Sequence, residues 1–335
     1  MPAGTVWLLG RCMEARGMQE LWLRQRPELL EALRQQAVVQ SVESSNRIEG
    51  VEVAPERLLP VVLGADRPRD RPEEELAGYR ATLDYVYGLR YPVLVDSALI
   101  LRLHGLCQGG QCGDAGQFKA RENSIIEIGP GNERRVRFEP VPAAQAPALV
   151  RQLCDNYRDL ADGDRNPPLL LVAAFVFDFL CIHPFRDGNG RVSRVLTALL
   201  LLQHGFAVSR FVALERLVED QKAEYYRVLQ DSSQGWHQGR NDLLPFLNFF
   251  LSTLKGAYKC LPTRVEVASG GPAKGLMVRE LLLGWNHQFS LAEASAQAPF
   301  ATPHLVKKVL ADLKAQGLVE LRGRGRGAKW RKLAR

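Results

Sequence analysis

The sequence predicts a mostly α-helical protein with one β-hairpin set into it and a small basic unit at its C-terminus. Three observations carry that expectation. Apolar residues recur at helical spacing along most of the 335 residues. One stretch, Gln117–Phe138, instead shows two short alternating runs around Gly129-Pro-Gly-Asn132. The charge is also unevenly placed. Residues 301–335 hold ten Lys or Arg against Asp312 and Glu320, whereas the whole chain carries only +7. That asymmetry points to an anionic partner for the C-terminal segment.

A composition of 46% hydrophobic and 24% charged residues excludes a disordered or fibrous chain. The length favours two or three domains. The longest apolar run, Leu169–Ile182, contains Asp178 and falls short of the roughly 20 residues a bilayer span needs, so it reads as a buried helix and no membrane partner is expected. Met1–Gly10 lacks a cationic lead, so no signal peptide is expected. Six scattered cysteines without a CxxC pair fit buried, reduced thiols and a cytoplasmic location.

Taken in order, Leu29, Leu30, Leu33, Ala37 and Val38 place a helix over Pro27–Glu49, with Gly50 as its stop. Residues 60–75, rich in Pro, Arg, Asp and Glu, read as a surface connection. Helical patterns resume at Glu74–Tyr87 and at Asp96–Cys107, with Asp96 as N-cap. In the hairpin, Ser124–Ile128 and Arg135–Phe138 are the two strands. Helices follow over 143–161, 167–181, 190–204, 215–232 and 241–259, and the polar stretch Thr263–Lys274 is the linker.

Beyond the linker, Leu276–Gly284 and Leu291–Ala298 form short helices, with a turn at Pro299–Ala301. Thr302 then caps a third, and Pro303 takes its first position. Val306, Val309, Leu310 and Leu313 share one apolar face of it, while His304, Lys307, Lys308 and Lys314 lie elsewhere. Past Gly317, Leu318–Leu321 and Lys329–Leu333 flank a Gly-Arg-Gly-Arg-Gly turn. This order resembles a winged helix-turn-helix, and its basic surface implies contact with DNA. A small protein-binding module with a solvated basic face is the alternative.

The richest chemistry lies in residues 183–194, His-Pro-Phe-Arg-Asp-Gly-Asn-Gly-Arg-Val-Ser-Arg, between the apolar runs Phe175–Ile182 and Val195–Leu202. Gly188 and Gly190 let backbone N–H groups converge at a helix N-terminus, where phosphate binds readily. Arg191 and Arg194, in the first helical turn, offer bidentate donors to phosphate oxygens. Asp187 is a hard oxygen ligand for Mg²⁺, and His183 is placed to accept a proton. The combination suggests metal-assisted attack on a nucleotide phosphate. Structural alternatives are a capping histidine, an N-capping aspartate and two surface ion-pair arginines. Glu49 closes its helix at the end where a carboxylate opposes the dipole, which calls for a cationic partner elsewhere.

This stretch is similar to the signature of the Fic family, HPFx(D/E)GNGRxxR, at every fixed position, and the resemblance spans roughly residues 28–255. It implies a helical core with a β-hairpin flap and transfer of AMP from ATP to a Tyr, Thr or Ser hydroxyl of a target protein or of the chain itself, releasing pyrophosphate. On that resemblance His183 is the general base, Asp187 coordinates Mg²⁺, and Gly188, Asn189 and Gly190 cradle phosphates that Arg191 and Arg194 neutralise. Ile126, Glu127, Ile128 and Gly129 border the nucleotide from the flap, whose edge would hold a target segment as an added strand. Tyr225 contacts the nucleoside. Ser233 stands where relatives often carry Asn, and Phe118-Lys119 replaces a commoner Tyr-Arg pair. Ser45-Asn-Arg-Ile-Glu49-Gly50 is similar to the family's inhibitory (S/T)xxxE(G/N) helix, in which Glu49 would pair with Arg194 and block the γ-phosphate.

The expected organisation is therefore an N-terminal helical region with the inhibitory helix (1–95), a catalytic core (96–262), a linker (263–275) and a winged helix-turn-helix (276–335). The expected function is a self-inhibited protein adenylyltransferase using ATP and Mg²⁺. Two alternatives are removal of AMP with Glu49 activating water, and a nucleotide-sensing DNA-binding regulator. Expected partners are a hydroxyl-bearing target protein, DNA through the C-terminal unit, and a second copy in a homodimer.

Overall fold

The computed structural model describes residues 1–24, 27–109, 114–128, 134–163, 165–268, 273–285, 287–298, 301–323 and 328–333. The centre of the larger core is α7 (Pro168–Ile182), which is apolar on nearly every side. Such a helix has no face to offer water and must be surrounded. It packs between α6 (Ala146–Ala161), α8 (Asn189–Gln203) and α11 (Leu244–Ala268). α8 is itself buried almost all round, against α4 (Arg71–Gly88), α5 (Ser97–Cys107) and the end of α2 (Pro27–Ile48). The polar turn between α7 and α8 is thus held by two of the most buried helices in the chain.

Capping follows local chemistry where the sequence signals it. Asp96 accepts the Leu99 N–H at 2.8 Å and Asp70 accepts the Glu73 N–H at 3.0 Å, opening α5 and α4. The hairpin strands β1 (Ile125–Ile128) and β2 (Arg134–Phe138) pair antiparallel, with Ile126 opposite Val136. The turn joining them, including Gly129, lies outside the described residues.

Several expectations are corrected. Within the helical region expected over 1–95, residues 3–23 form α1 (Ala3–Leu23), a helix that apolar spacing did not delimit. Its inward stripe is Thr5, Cys12 and Gln19, which bond to α11 at Asn248, Leu251 and Tyr258, while Val6, Trp7, Met18 and Leu21 face out. A polar stripe is invisible to a search for apolar periodicity. The connection expected over 60–75 is shorter, because α3 (Pro55–Val62) buries Leu58, Val61 and Val62. Arg57 on α3 then grips Glu73 through two bonds of 2.8 Å. The helix expected over 215–232 is two, α9 (Leu214–Glu219) and α10 (Lys222–Ser233), whose junction is fastened to α2 by Glu219 and Lys222 contacts with Arg47. The expected linker begins late, since α11 runs through Pro262 to Ala268. Buried Leu261 and Val265, four apart, continue its apolar stripe and offset the backbone hydrogen bond that Pro262, lacking an N–H, cannot donate.

The C-terminal segment has its own core of Val278, Leu282, Phe289, Val306, Leu310 and Leu313. It orders as α12 (Ala273–Gly284), α13 (Leu291–Gln297), α14 (Pro303–Ala315) and the antiparallel pair β3 (Val319–Arg322) and β4 (Lys329–Lys332). Thr302 accepts the Leu305 N–H at 3.3 Å, so α14 starts where its cap residue stands. Among the described residues no helix is long and apolar enough to cross a membrane.

Candidate active site

α7 ends at His183, the one non-glycine residue with positive φ (50°) among those described. That conformation costs roughly 1–2 kcal/mol and turns the chain sharply out of α7. The loop then closes on itself. The Asn189 side chain accepts the Phe185 N–H at 2.9 Å and donates back to the Phe185 carbonyl at 2.8 Å. Asn189 is buried in this role, a brace rather than a ligand arm. Gly188 (φ 81°) forms the N-cap of α8, and a Cβ there would strike the Gln108 amide.

Beneath the loop lies His104 of α5, a residue that sequence reasoning missed. Its ring stacks on Phe185 with centroids 3.8 Å apart and planes 3° from parallel. Nδ1 accepts the Gly116 N–H at 3.1 Å, which leaves the proton on Nε2 to be donated to the Asp187 carbonyl at 3.1 Å. Burial pushes its pKa down to about 4, so it stays neutral. The available signal was a histidine on the same face as Ile100, Leu103 and Cys107, all buried. Lys119 also braces the loop. Its N–H donates to the Pro184 carbonyl, and its ammonium to Asn123, which in turn donates to the Phe185 carbonyl.

A cavity of about 740 Å³ opens above the loop. His183, Gly190 and Arg194 form its floor, and Tyr225, Tyr226, Gln230 and Ser233 of α10 form one wall. Ile126, Arg137 and Phe138 of the hairpin face it, and Glu49 and Gly50 close the remaining side. Glu127 and Ile128 are described only as backbone of β1, and Gly129 is outside the described residues. Tyr226 donates to the Ile48 carbonyl at 3.2 Å and carries the Arg137 guanidinium over its ring.

Glu49 stands one residue past the end of α2, as its C-cap. Gly50 takes φ 78°, its N–H bonds to the Arg47 carbonyl, and the Val51 N–H bonds to the Asn46 carbonyl at 2.9 Å. This is a Schellman closure, and it fixes where Glu49 points. Its carboxylate meets Arg194 at 2.8 Å. Arg194 also donates to Ser45 Oγ at 2.9 Å and to the Ser45 carbonyl at 3.0 Å. Residues 45 and 49 are one turn apart, so both reach the same guanidinium. The third arginine nitrogen, Nη1, is buried beside Gly190 with no hydrogen-bond partner among the described residues.

His183 has a buried Nδ1, likewise without a partner among the described residues. Burial, reinforced by the charge of Lys119, holds its pKa down to about 4. A neutral imidazole on a cavity wall can accept a proton. Backbone donors at a helix N-terminus, together with an unfilled guanidinium N–H, can hold an anion.

Two expected ligands stand elsewhere. Arg191 does not border the cavity. It is buried under the loop and ion-paired at 2.9 Å with Glu75 of α4, itself buried. Asp187 also lies off the cavity wall, accepting the Gly188 N–H at 2.6 Å and an Arg71 N–H at 2.6 Å. It is the loop's one carboxylate, and about half exposed. No cluster of three metal-ligating side chains occurs among the described residues. The donor chemistry fits Mg²⁺, which takes one or two carboxylates and completes its shell with phosphate and water oxygens.

Residues 94–201 match the model of the Fic/DOC family. Over 102 residues the chain is 28% identical to the Protein adenylyltransferase Fic of Drosophila grimshawi, covering 30% of this chain but only 19% of that one. It is also 28% identical over 113 residues to a Fido domain-containing protein of Dictyostelium discoideum, covering 31% of this chain and 75% of that one. The structure resembles a Fic family protein from Desulfovibrio desulfuricans with a TM-score of 0.62 at 20% identity, covering 100% of this chain and 97% of that one. It also resembles a Fic domain-containing signaling protein from Bacteroides thetaiotaomicron, TM-score 0.65 at 19% identity, over 76% and 98% of the two chains. These likenesses are to the fold. All three comparisons support a Fic/Fido domain within a mostly helical chain.

Proposed function

We infer that this chain, whose residues 94–201 match the Fic/DOC family, is a self-inhibited protein adenylyltransferase. It moves AMP from ATP to a Tyr, Thr or Ser hydroxyl of a target protein or of itself. The hydroxyl oxygen bonds to the α-phosphorus, the bond to the pyrophosphate oxygen breaks, and the hydroxyl proton passes to His183. The N–H groups at the start of α8 and the open Nη1 of Arg194 hold the phosphates. Asp187 would hold Mg²⁺, which supplies charge neutralisation on the phosphates. Asn189, His104 and Lys119 keep the loop in shape, and the low pKa of His183 keeps it a base at neutral pH.

One observation carries the inhibitory half of this reading. The Glu49 carboxylate occupies the guanidinium that a terminal phosphate would need, 2.8 Å from Arg194. Anion and anion compete for one cation, so ATP binds with its phosphates displaced while Glu49 stays. The test is intact-mass analysis after exposure to ATP and Mg²⁺. Glu49→Gly gains AMP where the parent gains little, and Glu49→Gly combined with His183→Ala gains none. Equal labelling in all three proteins would overturn the reading.

The C-terminal unit is, in this reading, a winged helix-turn-helix that meets duplex DNA. Its supporting feature is an exposed basic surface, Lys307 and Lys308 on α14 with Arg322, Lys329 and Arg331 on the hairpin. In gel-shift titrations across a salt series, binding weakens steeply with salt, and Lys307→Ala with Lys308→Ala lowers the slope by about 2. Mobility unchanged even at low salt would remove DNA from the account.

A further inference from the structure

The Glu49–Arg194 pair has a counterpart of opposite sign on the other side of the loop. Arg71, the first residue of α4, donates from Nη2 to Asp187 at 2.6 Å and from Nε to Glu75 at 2.8 Å. Glu75 is buried and turns its second oxygen to Arg191, 2.9 Å away. Arg191 in turn approaches Asp187 at 3.6 Å. Four charges therefore close a ring, Asp187–Arg71–Glu75–Arg191. Its inner half is buried, and its outer half reaches solvent, with Arg71 59% and Asp187 45% exposed.

We propose that Arg71 is a second latch, a guanidinium standing on Asp187 in the place of a divalent cation. This rests on the assignment of Asp187 as the metal carboxylate and adds regulation to that same site. The physical argument is charge competition. One carboxylate oxygen already accepts the Gly188 N–H, and the other is taken by Arg71. A divalent ion arriving at that oxygen repels the guanidinium and must displace it. Displacement is feasible because Arg71 is exposed and keeps its bond to Glu75 as it swings away. Glu49 follows α2 and Arg71 opens α4, and α2 and α4 pack on each other directly and through α3. The same N-terminal region thus sets a carboxylate on the phosphate-binding arginine and a guanidinium on the cation-binding aspartate. The resting site is charge-balanced without its substrate.

The proposal is tested without turnover, in His183→Ala protein of full length. Retention of Mn²⁺, the probe for the divalent cation, is measured at fixed ATP from the free-Mn²⁺ electron paramagnetic resonance signal. Arg71→Gln tightens retention by about two- to fivefold, the range expected for losing a half-exposed ion pair. Arg71→Lys, which keeps the charge, stays near the parent value. Asp187→Asn loses the bound Mn²⁺. Unchanged or weaker retention in Arg71→Gln, with Asp187→Asn still losing the ion, overturns the latch and leaves the assignment of Asp187 standing. If Asp187→Asn keeps its Mn²⁺, the assignment and the latch fall together.

Discussion

Glu49 Oε1 lies 2.8 Å from Arg194 Nη2, and it also fills the space that a Cβ on Gly190 would need. The Glu49 carboxylate therefore rests against the backbone at the start of α8 as well as on Arg194. A glycine at 190 is required twice: to leave the backbone N–H groups approachable, and to let Glu49 settle.

Gly190→Ala consequently evicts Glu49. The substitution lowers thermal stability in the parent, and the loss shrinks when Glu49→Gly removes the colliding atom. A double-mutant cycle by thermal melting returns a coupling of about 0.5–3 kcal/mol between positions 49 and 190. Additive effects would separate the two residues.

Ser45 shares Arg194 with Glu49, since Arg194 Nε and Nη2 both reach it. Ser45→Ala removes one hydrogen bond to a charged group, about 1.5–3 kcal/mol. Stability falls, while AMP incorporation rises, though by less than with Glu49→Gly. Measuring both on one preparation distinguishes a latch residue from a core residue, which would lower both.

Arg191 answers to stability before it answers to substrate. Its truncation leaves one oxygen of buried Glu75 stranded, with only the exposed Arg71 still paired to the carboxylate, a loss by chemical denaturation of about 3 kcal/mol, the low end for breaking a buried pair. Arg191→Ala with Glu75→Gln recovers part of that, because the stranded charge is gone. A purely phosphate-binding arginine would show neither effect.

The fold weakens in acid through His104. Its folded pKa, about 4, lies below the ordinary 6.5, so the unfolded chain takes up the proton first. Stability is held above pH 6.5 and falls as pH drops toward 4, by about 3 kcal/mol in full for this one group. His104→Gln flattens that part of the profile, read from denaturation midpoints at successive pH values.

The amino-acid sequence by itself determined the helical class, the hairpin, the basic three-helix C-terminal unit and the identity of the loop. Each is written locally: in apolar spacing, in caps such as Asp96 and Thr302, and in the twelve residues from His183. It also placed Glu49 opposite a cation, because a carboxylate at a helix C-terminus signals an unmet electrostatic need. Tertiary structure alone decided which arginine borders the cavity. Arg191 and Arg194 are three apart on one helix, and nothing local says that one turns to buried Glu75 while the other meets Glu49. It likewise decided that α1 would form on a polar stripe, that Pro262 would sit inside α11, and that His104 would lie flat under Phe185. Those outcomes depend on partners more than a dozen residues away in the chain, and long-range pairing is the one thing that periodicity and motif spacing do not encode.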